Sequence, residues 1–299
     1  MVAASALGNL SALLAETDRP DHRSGPYSLS RWRGNALGAA LALRFGLQGE
    51  QFNLNAASSS GAQALALAAR WIALGELDLV LVVGAEPALG AALREASRRS
   101  GAMAADGTSR PLSAERAGMV PRESAAALVL EREDRALARG APLLARVAAC
   151  VSGNEAHHLV APLPGQGLSD RLLQRLRLQL GSGTDGQLPP IDWVCLHATG
   201  TRRFDTEELG FVRRAFAPLP WITAMKRCFG HGLGAAGVVE AALMVEGLRR
   251  GELPPWPAPL DPALGLPECP PLAARPPRSA LQLASGMGGV VVMNLLQGV

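Results

Sequence analysis

The chain has 299 residues, of which 48% are hydrophobic and 18% charged, and its formal net charge is +3. This length and composition suffice for a large buried core and exclude a disordered chain, and so small a net charge does not indicate nucleic-acid binding. Its longest apolar run is interrupted by Gly84, Glu86 and Pro87, so we expect no membrane span. The four cysteines lie far apart without metal-ligand spacing, which favours a cytoplasmic protein and predicts no metal site.

Strand and helix patterns alternate along residues 1–138, which indicates an α/β half. The predicted strands are Val2–Ala4, Phe52–Asn55, Leu77–Val83 and Ala125–Leu130. The predicted helices are Leu7–Glu16, one capped by Ser30 that ends near Phe45, and Ser58–Leu74. We expect polar loops at Arg23–Gly25 and between Ser97 and Arg122.

The same alternation continues over residues 139–299, which we predict to be a second α/β half. Its predicted strands are Leu143–Val151, Trp193–His197, Trp221–Met225, Ala280–Leu283 and Val290–Leu295. Its predicted helices are Leu168–Leu180, Asp205–Phe216 and Gly234–Arg249. The proline-rich segment Pro254–Pro277 is long enough to be a lid or a covering strap. Both halves contain a strand, a turn of small residues and an alanine-rich helix (Phe52–Leu74 and Trp221–Arg249), which indicates a duplicated unit.

Ser58 lies in a turn between a predicted strand and a predicted helix, in the sequence Asn-Ala-Ala-Ser-Ser-Ser-Gly. A nucleophile there would be exposed and would lie beside the free N–H groups and the positive dipole end of the helix. The alternative is an ordinary serine-rich helix cap. The turn does not match the GxSxG elbow of the hydrolases, which makes a lipase-type site a weak hypothesis.

Two further turns carry histidine. His197 ends an apolar strand, where functional groups of α/β folds commonly lie, although such a histidine can also simply bond to backbone. His231 follows Lys226 by five residues in a glycine-rich turn. Lys226 is the one lysine of the sequence; either chance placed it there or the position requires a compact ammonium group. Two histidines, one lysine and Ser58 together predict an acyl-transfer site.

The glycine-rich turn also contains GxGxxG, but the inserted Lys226 and His231, and the lack of a following strand that ends in an acidic residue, argue against dinucleotide binding. We expect the remaining histidines, His22, His157 and His158, to be solvated loop residues.

These residues resemble the β-ketoacyl-acyl carrier protein synthases, the elongating condensing enzymes of the thiolase superfamily. The specific motifs are His-x-Thr-x-Thr at His197, with Asp205 eight residues later, and Lys-x-x-x-Gly-His at Lys226, followed by Gly-Ala-Ala-Gly. The similarity also covers Asn35–Gly46, the Ser58 turn, Leu77–Glu86, Ser109–Pro111 and Gly286–Gly289.

The resemblance implies a layered αβαβα thiolase-like fold of two duplicated halves and decarboxylative condensation or acyl transfer in fatty-acid or polyketide synthesis. It implies no cofactor, because the substrates are carried on the phosphopantetheine arm of acyl carrier protein. It places catalytic roles on Ser58, His197, His231 and Lys226, with Asp205 and Glu208 as the acidic surroundings of the lysine. It implies that substrate is bound by Thr199, Thr201, Phe229, Gly286, Met287 and Gly288.

Three features depart from that family. Ser58 stands where the family has cysteine, and Met287 stands where it usually has a gating phenylalanine. The family's first strand and helix are absent from the sequence, so we expect an incomplete N-terminal half that exposes a sheet edge. We therefore expect a dimer, either a homodimer or a heterodimer with a full-length ketosynthase, paired through Phe52–Asn55 and Ser58–Leu74. We also expect an acidic carrier protein to dock on Arg202, Arg203 and Arg227.

Ser58 leaves three interpretations open: an enzyme that uses serine, a chain-length-factor-like partner of an active synthase, or an engineered replacement of cysteine. A serine must be activated by a base such as a histidine, and its ester is a poorer electrophile than a thioester. Retention of both histidines and Lys226 favours some remaining chemistry. A hydrolase that uses Ser58, His231 and Asp205 is a more distant alternative.

Overall fold

The computed structural model describes residues 1–17, 25–165, 167–181, 188–267 and 275–299, and within these ranges the chain forms two mixed β-sheets. The strands of the first sheet are β1 (Val2–Ala4), β2 (Phe52–Leu54), β3 (Leu79–Glu86) and β4 (Ser124–Glu131). Those of the second are β5 (Arg146–Asn154), β6 (Trp193–Cys195), β7 (Trp221–Thr223), β8 (Ser279–Gly286) and β9 (Val290–Gln297). The helices are α1 (Leu10–Thr17), α2 (Ser28–Trp32), α3 (Ala36–Phe45), α4 (Ser60–Ala73), α5 (Ala91–Arg99), α6 (Glu133–Ala138), α7 (Leu168–Leu180), α8 (Arg202–Ala215), α9 (Lys226–Phe229) and α10 (Ala236–Arg250).

The two sheets repeat one topology. The first has the strand order β2-β1-β3-β4, in which β1 is parallel to β2 and β3, and β4 is antiparallel to β3. The second contains the same arrangement as β7-β6-β8-β9 and adds β5 antiparallel to β9. The predicted duplication of an α/β unit is therefore confirmed.

Helices α4 and α10 form the layer between the two sheets and pack on strands of both. Gly61 and Gly237 allow these helices to cross in backbone contact, because a Cβ atom on Gly237 would lie 2.3 Å from the amide nitrogen of Ala62. Helix α7 covers the second sheet from outside with Leu172 and Leu176, both fully buried. With α3 beside β1 and β2, this completes the predicted αβαβα layering.

The first sheet is covered less fully than the second. Its strand β4 ends the strand order among the described residues, and Val129 of β4 is 60% exposed. Leu79 of the neighbouring β3 is 51% exposed. In the second sheet the equivalent strand β9 is flanked by β5 and buries both of its faces.

Some predicted elements were wrong in detail. The single helix predicted from Ser30 to Phe45 is two helices, α2 and α3, because Arg33 between them has extended backbone, and Ser30 lies inside α2 instead of capping it. Helix α5 was missed; it is arginine-rich, has only alanines and Leu93 as apolar residues, and buries none of its side chains. No helix within the described ranges is both long and apolar enough to cross a membrane.

The described part of the proline-rich segment is a covering strap. Trp256 and Leu264 are buried in the core of the second half, and the Trp256 ring lies 5.2 Å from that of Trp221. The amide of Asp261 donates to the carbonyl of Leu112, which ties the segment to the first half. Two further predictions, the solvated His22 and the polar loop before Gly25, concern positions outside the described residues.

Candidate active site

Ser58 lies in the turn between β2 and α4, directly after Ala57, whose backbone is left-handed with φ of 50°. The two serines that follow it stabilise the turn with hydrogen bonds. Ser59 Oγ donates to the carbonyl of Ala56, and Ser60 Oγ donates to the carbonyl of Ala57. None of these serines makes a side-chain cap on α4. The Ser58 hydroxyl instead lies 2.9 Å from Nε2 of His231, so the geometry fits a paired hydroxyl and base better than an ordinary cap.

His231 is held in place by its own backbone. Its amide donates to the carbonyl of Val120 at 2.7 Å, and its carbonyl accepts from the amide of Arg122 at 3.0 Å. The imidazole is 1% exposed, and its Nδ1 has no hydrogen-bond partner in the part of the chain that the structure describes. With the proton on Nδ1, Nε2 is free to accept the proton of Ser58.

His197 lies against His231, with ring centroids 5.4 Å apart in an edge-to-face arrangement. Burial, followed by the positive charge of Lys226, holds the pKa of both imidazoles well below the ordinary histidine value. Both rings are therefore neutral at pH 7. A neutral imidazole can accept a proton from a nucleophile or donate a hydrogen bond to a carbonyl oxygen.

Lys226 is fully buried, and its Nζ donates to Oε1 of Glu240 at 2.6 Å. Glu240 lies on α10 and is 1% exposed, and burial raises the pKa of its carboxyl. Glu240 was not among the residues predicted from the sequence motifs. The available signal was that Glu240 is a lone acidic residue between the apolar Val238 and Ala241. A charge buried among apolar residues requires a partner.

The two acidic residues assigned to the surroundings of Lys226 both accept hydrogen bonds from backbone amides of the loop that carries His197, and the charge of Lys226 also acts on the Glu208 carboxyl. Glu208 accepts from the amides of His197 and Ala198 at 2.7 and 2.8 Å, and burial raises its pKa to about 8. Asp205 accepts from the amides of Leu112 and Gly200 at 2.8 and 3.1 Å, and burial raises its pKa to about 6. They therefore fix the position of the His197 loop.

The predicted substrate-binding residues lie in different parts of the structure, and three of them follow one another at the end of β8. Gly286 adjoins the Ser58 turn, because a Cβ atom on it would lie 2.5 Å from the carbonyl oxygen of Ala56. Next to Gly286, Met287 is 55% exposed and borders a cavity of about 50 Å³. The neighbouring Gly288 amide donates to the carbonyl of Leu159 at 2.7 Å.

The other three predicted substrate residues lie after His197 and after Lys226. The hydroxyls of Thr199 and Thr201 are 3.0 Å apart in the loop that follows His197. The Phe229 ring packs on an apolar cluster that includes Met225 and Met244. The structure thus brings together Ser58, His197, His231 and Gly286, with Lys226 held behind them by Glu240, and it places Phe229 in core packing.

Neither the half-buried Cys150 nor the buried Cys195 has the acidic thiol of a nucleophile. Burial raises the pKa of Cys150 to about 12, and it raises that of Cys195 well above the ordinary thiol value. Within the described ranges no three His, Cys, Asp or Glu side chains cluster as metal ligands.

Comparison with known proteins identifies the family. The Beta-ketoacyl synthase N-terminal domain matches residues 1–136 and the C-terminal domain matches residues 144–258. A putative polyketide beta-ketoacyl synthase 1 of Streptomyces cyaneus is 32% identical over 296 residues, which cover 93% of this chain and 68% of that protein. The chain belongs to the β-ketoacyl synthase family.

Other β-ketoacyl synthases match with lower coverage. A 3-oxoacyl-[acyl-carrier-protein] synthase 2 of Mycobacterium bovis is 32% identical over 237 residues, covering 77% of this chain and 56% of that protein. The chain thus spans little more than half the length of several curated relatives.

Two solved structures support the thiolase-like fold. A beta-ketoacyl synthase from Burkholderia phymatum superimposes with a TM-score of 0.83 at 25% identity, covering all of this chain and 75% of that one. The ishigamide ketosynthase/chain length factor superimposes with a TM-score of 0.85 at 24% identity, covering all of this chain and 74% of that one. The predicted fold class and family are therefore confirmed.

Proposed function

We propose that the Ser58 centre transfers acyl groups from acyl carrier protein thioesters in fatty-acid or polyketide synthesis. The observation that carries this proposal is the 2.9 Å contact between Ser58 Oγ and His231 Nε2 beside a second neutral imidazole. The relatives named as 3-oxoacyl-[acyl-carrier-protein] synthases, and a solved ketosynthase in complex with a type II acyl-carrier protein, support the choice of carrier.

In the acylation step, His231 Nε2 takes the proton of Ser58 while Ser58 Oγ attacks the thioester carbonyl. The C–S bond breaks, and the thiolate of the phosphopantetheine arm leaves and takes up the proton. The product is an oxygen ester on Ser58. The helix α4 dipole favours the negative charge that develops at this turn.

In the condensation step, a malonyl thioester loses carbon dioxide, and the resulting enolate oxygen accepts hydrogen bonds from His197 and from His231, the latter in the neutral form that carries its proton on Nε2. The enolate carbon attacks the Ser58 ester carbonyl, a C–C bond forms, the C–O bond to serine breaks, and the serine oxygen takes up a proton from water. An oxygen ester is a poorer electrophile than a thioester, so this step is slower than with cysteine. The positive charge of Lys226 favours the charged enolate.

The second candidate function is that of a partner subunit that shapes the pocket of an active ketosynthase. Serine at position 58 favours it, because a hydroxyl is far less acidic than a thiol. The match to a ketosynthase/chain length factor is compatible with this function at the level of the fold. Retention of His197, His231 and Lys226 favours the enzyme.

For assembly we propose a dimer through the β2 edge of the first sheet. β2 ends the strand order among the described strands, and Phe52 on it is 45% exposed. Leu43 and Phe45 at the end of the adjacent α3 are 86% and 61% exposed. In α4, however, Ala66, Ala68 and Trp71 are buried within the protomer, so that face serves the core. Light scattering at micromolar concentration should give twice the protomer mass; a stable monomer would contradict this assembly.

The test of function is intact-mass spectrometry after incubation with acyl carrier protein loaded with acyl groups of several lengths. The enzyme hypothesis predicts an acyl mass increment that maps to Ser58. It should vanish in Ser58→Ala and fall strongly in His231→Gln. No increment at any chain length, together with stable binding of a separate ketosynthase, supports the partner subunit instead.

A further inference from the structure

Two amide side chains are buried at the centre of the second sheet. Gln282 of β8 and Asn294 of β9 are both 0% exposed, and they lie directly opposite each other in the antiparallel register. Asn294 Nδ2 donates to Gln282 Oε1 at 2.9 Å. We call these two residues the amide pair.

The amide pair also bonds to the two helices of the middle layer. Asn294 Nδ2 donates to the carbonyl of Ala62 in α4 at 3.0 Å. Gln282 Nε2 donates to the carbonyl of Gly237 in α10 at 2.7 Å. One connected set of hydrogen bonds therefore joins the second sheet to both α4 and α10.

Packing alone does not require amides at these positions. The neighbours on the same face of these strands, Ala284, Val292 and Leu296, are all buried and apolar, so an aliphatic side chain would suit the same layer. A buried amide carries a desolvation cost that its hydrogen bonds only offset, and Asn294 Oδ1 has no partner among the described residues. The amides form directional hydrogen bonds, which aliphatic groups cannot form.

Directional hydrogen bonds can limit how α4 and α10 move at their crossing. Helices α4 and α10 meet through Gly61, Ala62 and Gly237, and Val238 of α10 packs a methyl group against Gly61. Such small residues permit close approach, and a single valine methyl group opposes sliding along the helix axis only weakly. A hydrogen bond of fixed length to each helix opposes that sliding.

The two side chains of the proposed acyl-transfer step lie just before these two helices. Ser58 is four residues before Ala62, at the start of α4, and His231 is six residues before Gly237, just ahead of α10. A shift of one helix along the other therefore changes the distance between Ser58 Oγ and His231 Nε2. A displacement on the order of 1 Å lengthens this contact beyond hydrogen-bond range, and such a misplacement can cost about 100-fold in rate.

We propose that Gln282 and Asn294 are positioning residues that set the separation of Ser58 and His231 by fixing α4 and α10 to the same point of the second sheet. The predicted effect on the acylation rate rests on the proposed function. The predicted effect on the distance between Ser58 and His231 does not, because it concerns only the positions of two side chains.

The first experiment compares acyl transfer to Ser58 in the wild type and in Gln282→Leu/Asn294→Leu. We expect a loss of about 10- to 100-fold in the acylation rate with little change in the urea midpoint. The exchanged pair Gln282→Asn/Asn294→Gln keeps both amides and should recover part of the rate. Leu296→Met, a volume-conserving change on the same face of β9 as Asn294, is the matched core control and should retain the wild-type rate.

The second experiment measures geometry without acyl transfer. In a Ser58→Cys background, the rate of alkylation by iodoacetamide against pH reports the thiol pKa. Proton sharing with His231 Nε2, which depends on the separation of the two groups, should hold this pKa below the ordinary value of about 8.5 when the amide pair is intact. Replacing both amides by leucine should move the profile towards that ordinary value.

The outcomes separate the two proposals. If the wild type is not acylated but the alkylation profile shifts, the positioning role stands and the acyl-transfer proposal fails. An unchanged alkylation profile in the folded double variant overturns the positioning role, whatever the wild-type activity. If the double variant does not fold, Gln282→Met alone removes the hydrogen bond to Gly237. The acylation rate and the alkylation profile of that variant then test the positioning role.

Discussion

The buried ion pair of Lys226 and Glu240 gives a prediction of measurable size. Nζ and Oε1 are 2.6 Å apart, and each side chain is 1% exposed. In Glu240→Leu the lysine must lose its proton to stay buried, which at pH 7 costs about 4.6 kcal/mol from a reference pKa of about 10.4. In Lys226→Met the lone glutamate must gain a proton, which costs about 3.7 kcal/mol from a reference pKa of about 4.3. Both values agree with the ~3–5 kcal/mol found when one partner of a buried pair is removed.

The pH dependence of these two variants has opposite signs. A lone buried glutamate has a raised folded pKa, so the cost of Lys226→Met should shrink towards pH 5 and grow at higher pH. A lone buried lysine has a lowered folded pKa, so the cost of Glu240→Leu should shrink as the pH rises from 7 to 9. The double variant Lys226→Met/Glu240→Leu buries no charge and should lie within about 1 kcal/mol of the wild type.

Urea unfolding at pH 5, 7 and 9, followed by tryptophan fluorescence, measures these free energies for the wild type and the three variants. Single variants that each lose less than 1 kcal/mol would refute the assignment of a desolvated ion pair. So would single variants whose cost does not change with pH.

Three further predictions concern other parts of the molecule. Charge reversal of Arg202 and Arg203, both exposed on α8, should weaken carrier-protein binding in low salt and have less effect in high salt; equal affinity in low salt would remove these residues from the docking surface. Glu208, with a folded pKa of about 8, should make the urea midpoint fall as pH rises from 6.5 to 8, and Glu208→Gln should remove that fall, whereas an unchanged slope would contradict the raised pKa. Gly237→Ala should cost about 1–3 kcal/mol and slow Ser58 acylation, because its Cβ would lie 2.3 Å from the amide nitrogen of Ala62; unaltered stability would mean that the crossing is looser than described.

The sequence indicated the residues of the candidate site because each lies in a turn that is rich in small residues. Ser58, His197 and His231 share that local signature, and all three come together in the structure. Lys226 was conspicuous as the one lysine of the chain. Local patterns of this kind need no knowledge of tertiary contacts.

The partners of those groups were not visible in the sequence, because they come from distant elements. Glu240 lies 14 residues from Lys226 on another helix, and Asn294 lies 232 residues from the Ala62 carbonyl that it bonds. Glu208 was identified as an acidic residue near the lysine, but its two bonds to backbone amides depend on how α8 folds against the His197 loop. Tertiary packing, and not local propensity, decides such contacts.

The most direct test of the acyl-transfer centre is a comparison of Ser58→Cys with the wild type in a single-turnover condensation. Each protein is loaded with an acyl group and then mixed with malonyl-loaded carrier protein, and the 3-oxoacyl product is measured by mass spectrometry. If the centre is arranged for condensation, Ser58→Cys should form the product faster than the wild type, and His231→Gln in the same background should abolish the gain. A Ser58→Cys protein that folds, takes up no acyl group and forms no product would contradict an acyl-transfer centre at this site.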